Sequence, residues 1–280
     1  MLGFNMAIKA LFIDLDGTLL TSKKEVTPVT LATLGKCKAK GIKLFVATGR
    51  SPRSIQNKDW GKSLFALIDG GVFCNGGQIL FNGDETFEFI PDEVSRKTLE
   101  FVKKYDAMNI GLHLESHDEK WAFRFLLSDE GYRNWGLLPE ASCTLDATPD
   151  LRTVKILIFY GRTIDYIKQI DSKLVKELEK LCHGKAQFHH IDKGTVIMIV
   201  AKDADKNIGI EKIRSKLNFT KNEIVTFGDD FNCLEMIAGY ENSVAMGNAE
   251  DIIKNKAKYI TLDNDSDGVH HAIVNILKLV

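Results

Sequence analysis

Residues 8–13 (Ile-Lys-Ala-Leu-Phe-Ile) are apolar almost throughout, and two acids follow at once in Asp14-Leu15-Asp16-Gly17-Thr18. A strand with one wet face alternates apolar and polar residues, whereas a strand buried on both faces does not. This run therefore predicts a strand in the middle of a sheet covered by helices on both sides. Similar runs return at residues 42–47 and within 66–73. Between the first two, residues 28–40 read as a helix, with Thr27 as N-cap and Gly41 as the glycine that ends it. Strand, helix and strand on short links predict right-handed parallel βαβ units. The expected fold is α/β, with a doubly wound, Rossmann-like parallel sheet.

The middle of the chain has a different pattern. An Asn82-Gly83 turn falls within residues 80–89, residues 91–105 read as a helix, and 120–127 and 153–160 read as strands joined by an irregular stretch at 137–151. Ile164, Ile167, Ile170, Leu174, Leu178 and Leu181 recur every three or four residues, which predicts an amphipathic helix over 163–182 ended by Gly184. Residues 195–200 read as another strand. Strand-like runs that neighbour one another suggest an α+β module. From about residue 202 the first pattern resumes, with helices at 207–217, 232–238, 250–256 and 269–279 and strands at 224–227, 243–246 and 259–262. The expected division is a core of residues 1–82 and 202–280 carrying an inserted module at 83–201.

Composition narrows the function. Of the 280 residues 44% are hydrophobic, enough for a packed core, which excludes a disordered chain. Lys plus Arg (37) nearly balances Asp plus Glu (38), so the basic footprint of a nucleic-acid or anionic-membrane binder is missing. No window of about 18 apolar residues occurs, so no membrane span is expected. Cys37, Cys74, Cys143, Cys182 and Cys233 are odd in number and far apart, and no CxxC occurs. That argues for a reducing, cytoplasmic setting rather than a disulfide framework or structural zinc site. Lys9 and Asp14 interrupt the apolar N-terminus before a signal-peptide core develops, and Met6 offers a second point at which the chain could begin. Monomer and small homo-oligomer are equally compatible with these residues.

The acid pair carries the chemistry. In open α/β sheets, ligands bind at the carboxyl ends of the strands, where Asp14 and Asp16 are expected. Asp-Gly is also an ordinary turn pair, but a turn does not require two acids directly after an apolar run. Two close carboxylates repel, and a cation between them or a proton on one relieves the repulsion. With a hard dication such as Mg2+, one can remain an ionised nucleophile while the other moves protons. Gly17 lets the backbone turn sharply beside a ligand.

Asp14-Leu15-Asp16-Gly17-Thr18 after a strand resembles the first motif, DxDGT, of the haloacid dehalogenase superfamily. Thr48-Gly49-Arg50 is similar to its second motif, Lys206 before a helix to its third, and Gly228-Asp229-Asp230-Phe231-Asn232 to its GDxxND fourth. Asn75-Gly76-Gly77, the long insert, Ala245-Met246-Gly247-Asn248-Ala249 and Asp267-Gly268-Val269 resemble the Cof-like sugar phosphatases. The resemblance implies an aspartyl-phosphate formed on Asp14 and proton transfer by Asp16. It implies phosphate or substrate binding by Thr48, Gly49, Lys206 and Asn232, and Mg2+ held by Asp14, Asp16 (through its backbone carbonyl) and Asp229. The insert would then be a cap that sets specificity. The expected function is Mg2+-dependent hydrolysis of small phosphorylated metabolites, sugar phosphates foremost. A phosphomutase, or a phosphometabolite-binding protein with impaired turnover, would use the same residues.

One residue departs from the family pattern. Cys233 stands where the fourth motif usually has a second Asp, which removes a negative charge from the expected metal shell, and Asp230 is a candidate to restore it. Gly61-Lys62-Ser63 imitates the end of a P-loop but has Gln56 where the leading glycine belongs. His189-His190 and His270-His271 are adjacent pairs whose side chains diverge on strand or helix, so neither is expected to chelate a metal.

Overall fold

A computed structural model of the chain describes residues 8–114, 120–147, 152–162 and 168–280. Met6, Ile164 and Ile167 lie outside the described residues. Contacts divide the chain into two units, the first built from residues 1–51, 58–84 and 205–280 and the second from 52–57 and 85–204.

The first unit begins with β1 (Ala10–Ile13), buried at every position. In α1 (Pro28–Ala39) the Thr27 hydroxyl accepts a hydrogen bond from the Thr30 N–H, and Pro28 supplies a first-turn φ at no hydrogen-bond cost. The chain continues through β2 (Lys43–Ala47), α2 (Pro52–Gln56), which groups with the second unit, α3 (Asp59–Leu67), β3 (Gly70–Phe73), β4 (Gln78–Phe81) and β5 (Asp84–Phe87), of which only Asp84 groups with the first unit. Asn82 and Gly83 both take positive φ, as a tight hairpin turn requires. Gly61-Lys62-Ser63 lies inside α3, where helical hydrogen bonds leave no amide cradle for a phosphate.

The second unit holds α4 (Asp92–Val102), β6 (Met108–Leu114), β7 (Lys120–Phe123), α5 (Asp129–Trp135), β8 (Ser142–Thr144), β9 (Thr153–Tyr160), α6 (Ser172–Cys182), β10 (Ala186–Ile191) and β11 (Val196–Ala201). Its six strands form one sheet in the order β10-β11-β9-β6-β7-β8, antiparallel except for the β7–β8 pair. The strands alternate between two apolar clusters. Ile156 and Ile158 of β9 pack with residues of α4 and α6, while Leu157 and Phe159 pack with Trp121, Phe123 and Tyr132 on the other face.

Local expectations fail here where polar groups are buried. β6 was not anticipated because Asn109, Gly111 and His113 interrupt its apolar run. The interior accommodates Asn109 by using all of its amide. Nδ2 donates to Phe125 O (2.8 Å) and Gly161 O (3.0 Å), and Oδ1 accepts from the backbone N–H of Ile110 and Phe125. Of the helix expected over 163–182, residues 163–167 lie outside the described residues, 168–171 are not helical, and α6 starts at Ser172. The Ile170 N–H donates to Gly194 O instead of entering a helical turn, and the Asp171 carboxylate caps the start by accepting from the Lys173 N–H. Within the stretch read as irregular, Ser142–Thr144 pairs with β7 as β8.

The chain then returns to the first unit through α7 (Lys206–Leu217), β12 (Ile224–Gly228), α8 (Leu234–Gly239), β13 (Asn242–Ala245), α9 (Asp251–Lys254), β14 (Tyr259–Ile260) and α10 (Gly268–His271), which runs into a π-helical turn at Ala272–Ile276. The order of the larger sheet is β14-β13-β12-β1-β2-β3-β4-β5, parallel from β14 to β3 with β4 antiparallel to β3. The fold is α/β. β1 lies between β2, the next strand in sequence, and β12, which arrives from the far end of the chain. Its carboxyl end is therefore the point where the strand order reverses, and such sheets leave a crevice there. The His270 and His271 rings part company, with Nδ1 of each against the hydroxyl of Thr33 and Thr261 respectively.

Candidate active site

Asp14 is the first residue past β1, and its N–H donates to Phe227 O of β12. Lys206 is the first residue of α7, whose N-cap Asp205 accepts from the Ile208 N–H. These two anchors bring Lys206 Nζ to 2.9 Å from Asp14 Oδ1, with side chains only 1% and 5% exposed. Burial alone would disfavour the Lys206 charge, but the Asp14 carboxylate and the Cys233 sulfur beside it hold its pKa above the ordinary lysine value. The result is a buried ion pair with its ammonium held charged.

Asp229 follows β12. Its carboxylate accepts from the Thr18 hydroxyl at 2.8 Å. Burial and then the Asp14 charge push the Asp229 carboxyl up to about 7, so the repulsion expected between Asp14 and Asp16 falls on Asp14 and Asp229 instead. Gly17 makes the approach possible. At φ +76 it turns the loop, and a Cβ there would stand 2.0 Å from Asp229 Oδ2.

Cys233 completes the group. It is fully buried in the turn Phe231–Cys233, with Sγ 3.4 Å from Asp14 Oδ2, 3.3 Å from Asn232 Oδ1 and 3.3 Å from Lys206 Nζ, which donates to it. Burial and the Asp14 charge push its thiol far up, which keeps it neutral. Asp14, Asp229 and Cys233 each offer a donor atom within 4.8 Å of the others. Asp230 stays outside this group, since its carboxylate caps the next turn by accepting from the Phe231 N–H at 2.7 Å. Its charge still reaches Asp229, but its carboxylate is not among the donor atoms that lie together.

Thr48 lies past β2 and is buried. Its hydroxyl accepts from the Arg50 N–H (3.1 Å) and can still donate its own hydrogen. Gly49 lies against Asn75, whose Oδ1 also faces Asn232 Nδ2 at 3.5 Å. Gly76 at φ +100 lets that loop press on the backbone of Asp205, at the start of α7. The Asp16 carboxylate is not among the donors of the Asp14–Asp229–Cys233 group and is held by two cations. Arg50 grips it through Nε (2.7 Å) and Nη2 (2.8 Å), and Lys24 Nζ adds a third contact at 2.8 Å. Burial works against the Asp16 charge, but Arg50 and Lys24 outweigh it and hold the carboxyl well below the usual range.

The sequence reading assigned no role to Arg50, Lys24, Thr18, Asn75 or Asn248. Four of these lie inside quoted motifs and so carried a signal. Lys24 had none, because only the turn that gives it φ +60 carries it back to Asp16. Asn248 Nδ2 donates to Gly17 O at 2.8 Å, and its Oδ1 accepts from the Asn264 N–H, bracing the loop from the far end of the chain.

Comparison with known proteins agrees with this geometry. The 5-amino-6-(5-phospho-D-ribitylamino)uracil phosphatase YitU of Bacillus subtilis (strain 168) is 26% identical, over 92% of this chain and 93% of its own length. The pyridoxal phosphate phosphatase YbhA of Escherichia coli (strain K12) is 25% identical, over 97% of this chain and all of its own. A haloacid dehalogenase-like hydrolase from Bacteroides thetaiotaomicron has a similar structure, with a TM-score of 0.77 at 26% identity, covering 96% of this chain and 99% of that one. The subclass IIB sugar phosphatase BT4131 shares the fold, with a TM-score of 0.78 at 23% identity, covering 97% and 100%. The family model described as haloacid dehalogenase-like hydrolase matches residues 11–273, from β1 into the last helical turn, and the chain belongs to that family.

Proposed function

We propose that this hydrolase is a Mg2+-dependent phosphatase of small phosphorylated metabolites, sugar phosphates foremost, acting through an aspartyl-phosphate on Asp14. The observation that carries the reading is the Asp14 carboxylate held against buried Lys206, with an Asp229 carboxylate oxygen within 4.8 Å, at the carboxyl end of the central strand. Two curated relatives, named above, act on small phosphorylated metabolites, one of which carries its phosphate on a ribityl chain.

The donor set fits Mg2+. Asp14 and Asp229 offer hard carboxylate oxygens, and the charge of Asp14 raises the Asp229 pKa, a repulsion that a dication held by both would relieve. Asp14, Asp229 and the backbone carbonyl of Asp16 would hold the ion. When bound, it neutralises charge on the acids and on the phosphoryl oxygens.

The side chains divide the work. A carboxylate oxygen of Asp14 attacks phosphorus, and the alcohol leaves with a proton from Asp16. Water then attacks the aspartyl-phosphate, giving its proton to Asp16, and inorganic phosphate leaves as Asp14 is regenerated. Lys206 and the Thr48 hydroxyl hydrogen-bond the phosphoryl oxygens, with Gly49 and Asn232 beside them. The grip of Arg50 and Lys24 favours the ionised Asp16 that accepts the water's proton. Its acid role requires the incoming phosphate to draw those cations away. We assign the choice of leaving group to the inserted segment, residues 83–201.

Phosphate release from a panel of phosphomonoesters with Mg2+ tests the reading, and silence across the panel would refute it. Asp14→Asn should abolish turnover with the fold intact by circular dichroism. Asp16→Asn should keep partial activity only on esters with good leaving groups, which need no protonation. Equal loss on every ester would remove Asp16 from the proton-transfer role.

A further inference from the structure

We infer that Cys233 turns this centre into a site for thiophilic divalent cations, of the Zn2+, Cd2+ and Co2+ kind, bound by the Cys233 sulfur with the Asp14 and Asp229 carboxylates in preference to Mg2+. The inference rests on the reading of those two acids as metal ligands and goes beyond it by adding a soft donor. All three donor atoms lie within 4.8 Å of one another. Around a single zinc ion, sulfur stands at about 2.3 Å and oxygen at about 2.0–2.2 Å, so small side-chain rotations close the group on an ion. Mg2+ has little affinity for sulfur and leaves the buried thiol protonated. A thiophilic ion displaces that proton, which goes to solvent as the metal–sulfur bond forms.

Neighbouring residues favour the exchange. Lys206 Nζ already donates to Sγ at 3.3 Å, so a thiolate formed there keeps a cationic hydrogen-bond donor. Cys233 is also fixed in place, because its N–H donates to Asp230 O at 2.8 Å within the turn. The charge count then changes. With Mg2+ and a neutral thiol, two carboxylates face the dication and Lys206, which leaves one positive charge for a phosphate dianion. With a thiophilic ion and a thiolate, three negative charges cancel the same three positive ones. The site becomes neutral and loses its attraction for phosphate.

Titrating the metal-stripped protein with Co2+, and following the near-ultraviolet sulfur-to-cobalt charge-transfer band, tests this without turnover. Wild type should develop the band on the first equivalent, Cys233→Ser should lack it, and Cys143→Ser should keep it. By calorimetry, Cd2+ should bind at least about ten-fold more weakly to Cys233→Ser, while Mg2+ affinity changes by no more than about two-fold. Cys233→Ala, checked by circular dichroism, gives the same comparison if the serine variant misfolds. A wild type without the band, a band that survives in Cys233→Ser, or equal loss of Cd2+ and Mg2+ would overturn the inference. Hydrolysis of phosphomonoesters with Mg2+ in a protein that gives no band would defeat this inference and leave the phosphatase reading standing. Sulfur–cobalt binding without hydrolysis would do the reverse.

Discussion

Replacing Lys206 with methionine keeps the length of the side chain and removes the buried ammonium that faces Asp14. At 2.9 Å and an effective dielectric near 20, the lost attraction is about 6 kcal/mol before any desolvation is recovered. Breaking buried pairs of this kind costs about 3–5 kcal/mol, because the surviving charge stays buried without its partner. Asp229 makes matters worse for Asp14, being a second acid in the same group. We therefore expect Lys206→Met to destabilise the first unit by about 3–5 kcal/mol at pH 7 in the absence of metal. Hydrogen exchange of the Ala10–Ile13 amides, resolved by mass spectrometry, reads that unit separately from the other. Adding Asp14→Asn should recover at least half of the loss. A deficit below about 1 kcal/mol, or one unmoved by Asp14→Asn, would refute the claim that this pair is strongly coupled.

Gly17→Ala adds a methyl group to a residue at φ +76, 2.0 Å from Asp229 Oδ2, so the loop must shift. We expect a loss of about 1–3 kcal/mol and at least a ten-fold weaker Mg2+ requirement curve for phosphate release; normal Mg2+ dependence would contradict the close approach. Burial, and then the charge of Lys155, push His113 in the second unit down to about 3. The unfolded histidine, near 6.5, binds a proton that the folded one refuses, so stability is lost as pH falls through that window, by up to about 1.4 kcal/mol per pH unit. His113→Phe keeps a ring against Trp121, which His113 stacks on at 5.1 Å, and should flatten the thermal melts between pH 6.5 and 4; an unchanged slope would exclude His113 as the source.

Most of the first unit was legible in local pattern. Buried parallel strands carry continuous apolar runs, and residues 8–13, 42–47 and 224–227 have no other reading. The caps were legible too: Thr27, Pro28 and Gly41 act where their chemistry requires. The second unit was harder. Asn109 and His113 break the apolar run of β6, and His189 and His190 do the same in β10; no local rule reveals that hydrogen bonds will hold Asn109, or a stacked indole His113, inside a sheet. At the site, Asp14, Lys206 and Asp229 were legible because each follows or opens a regular element. Arg50 was visible as part of a motif but not as the group that holds Asp16.

What the sequence by itself determined is the order of elements and the chemical kind of each residue that ends up beside Asp14. Hydrophobic periodicity sets the first, since a strand buried on both faces tolerates few polar residues. The placing of acids, lysine and hydroxyl just past strand ends or at a helix start sets the second. Only the tertiary structure decided which charges meet. Lys24 and Asp16 pair because a left-handed turn folds one back on the other, and Asp230 is drawn to its own turn while Cys233, three residues on, points at Asp14. Contacts of this kind depend on distances of a few ångströms between segments up to 219 positions apart, and a pairwise electrostatic energy falls inversely with distance and with the local dielectric. Local propensity carries no such information, so the partners of each charge emerge only when the sheet brings β1, β2 and β12 side by side.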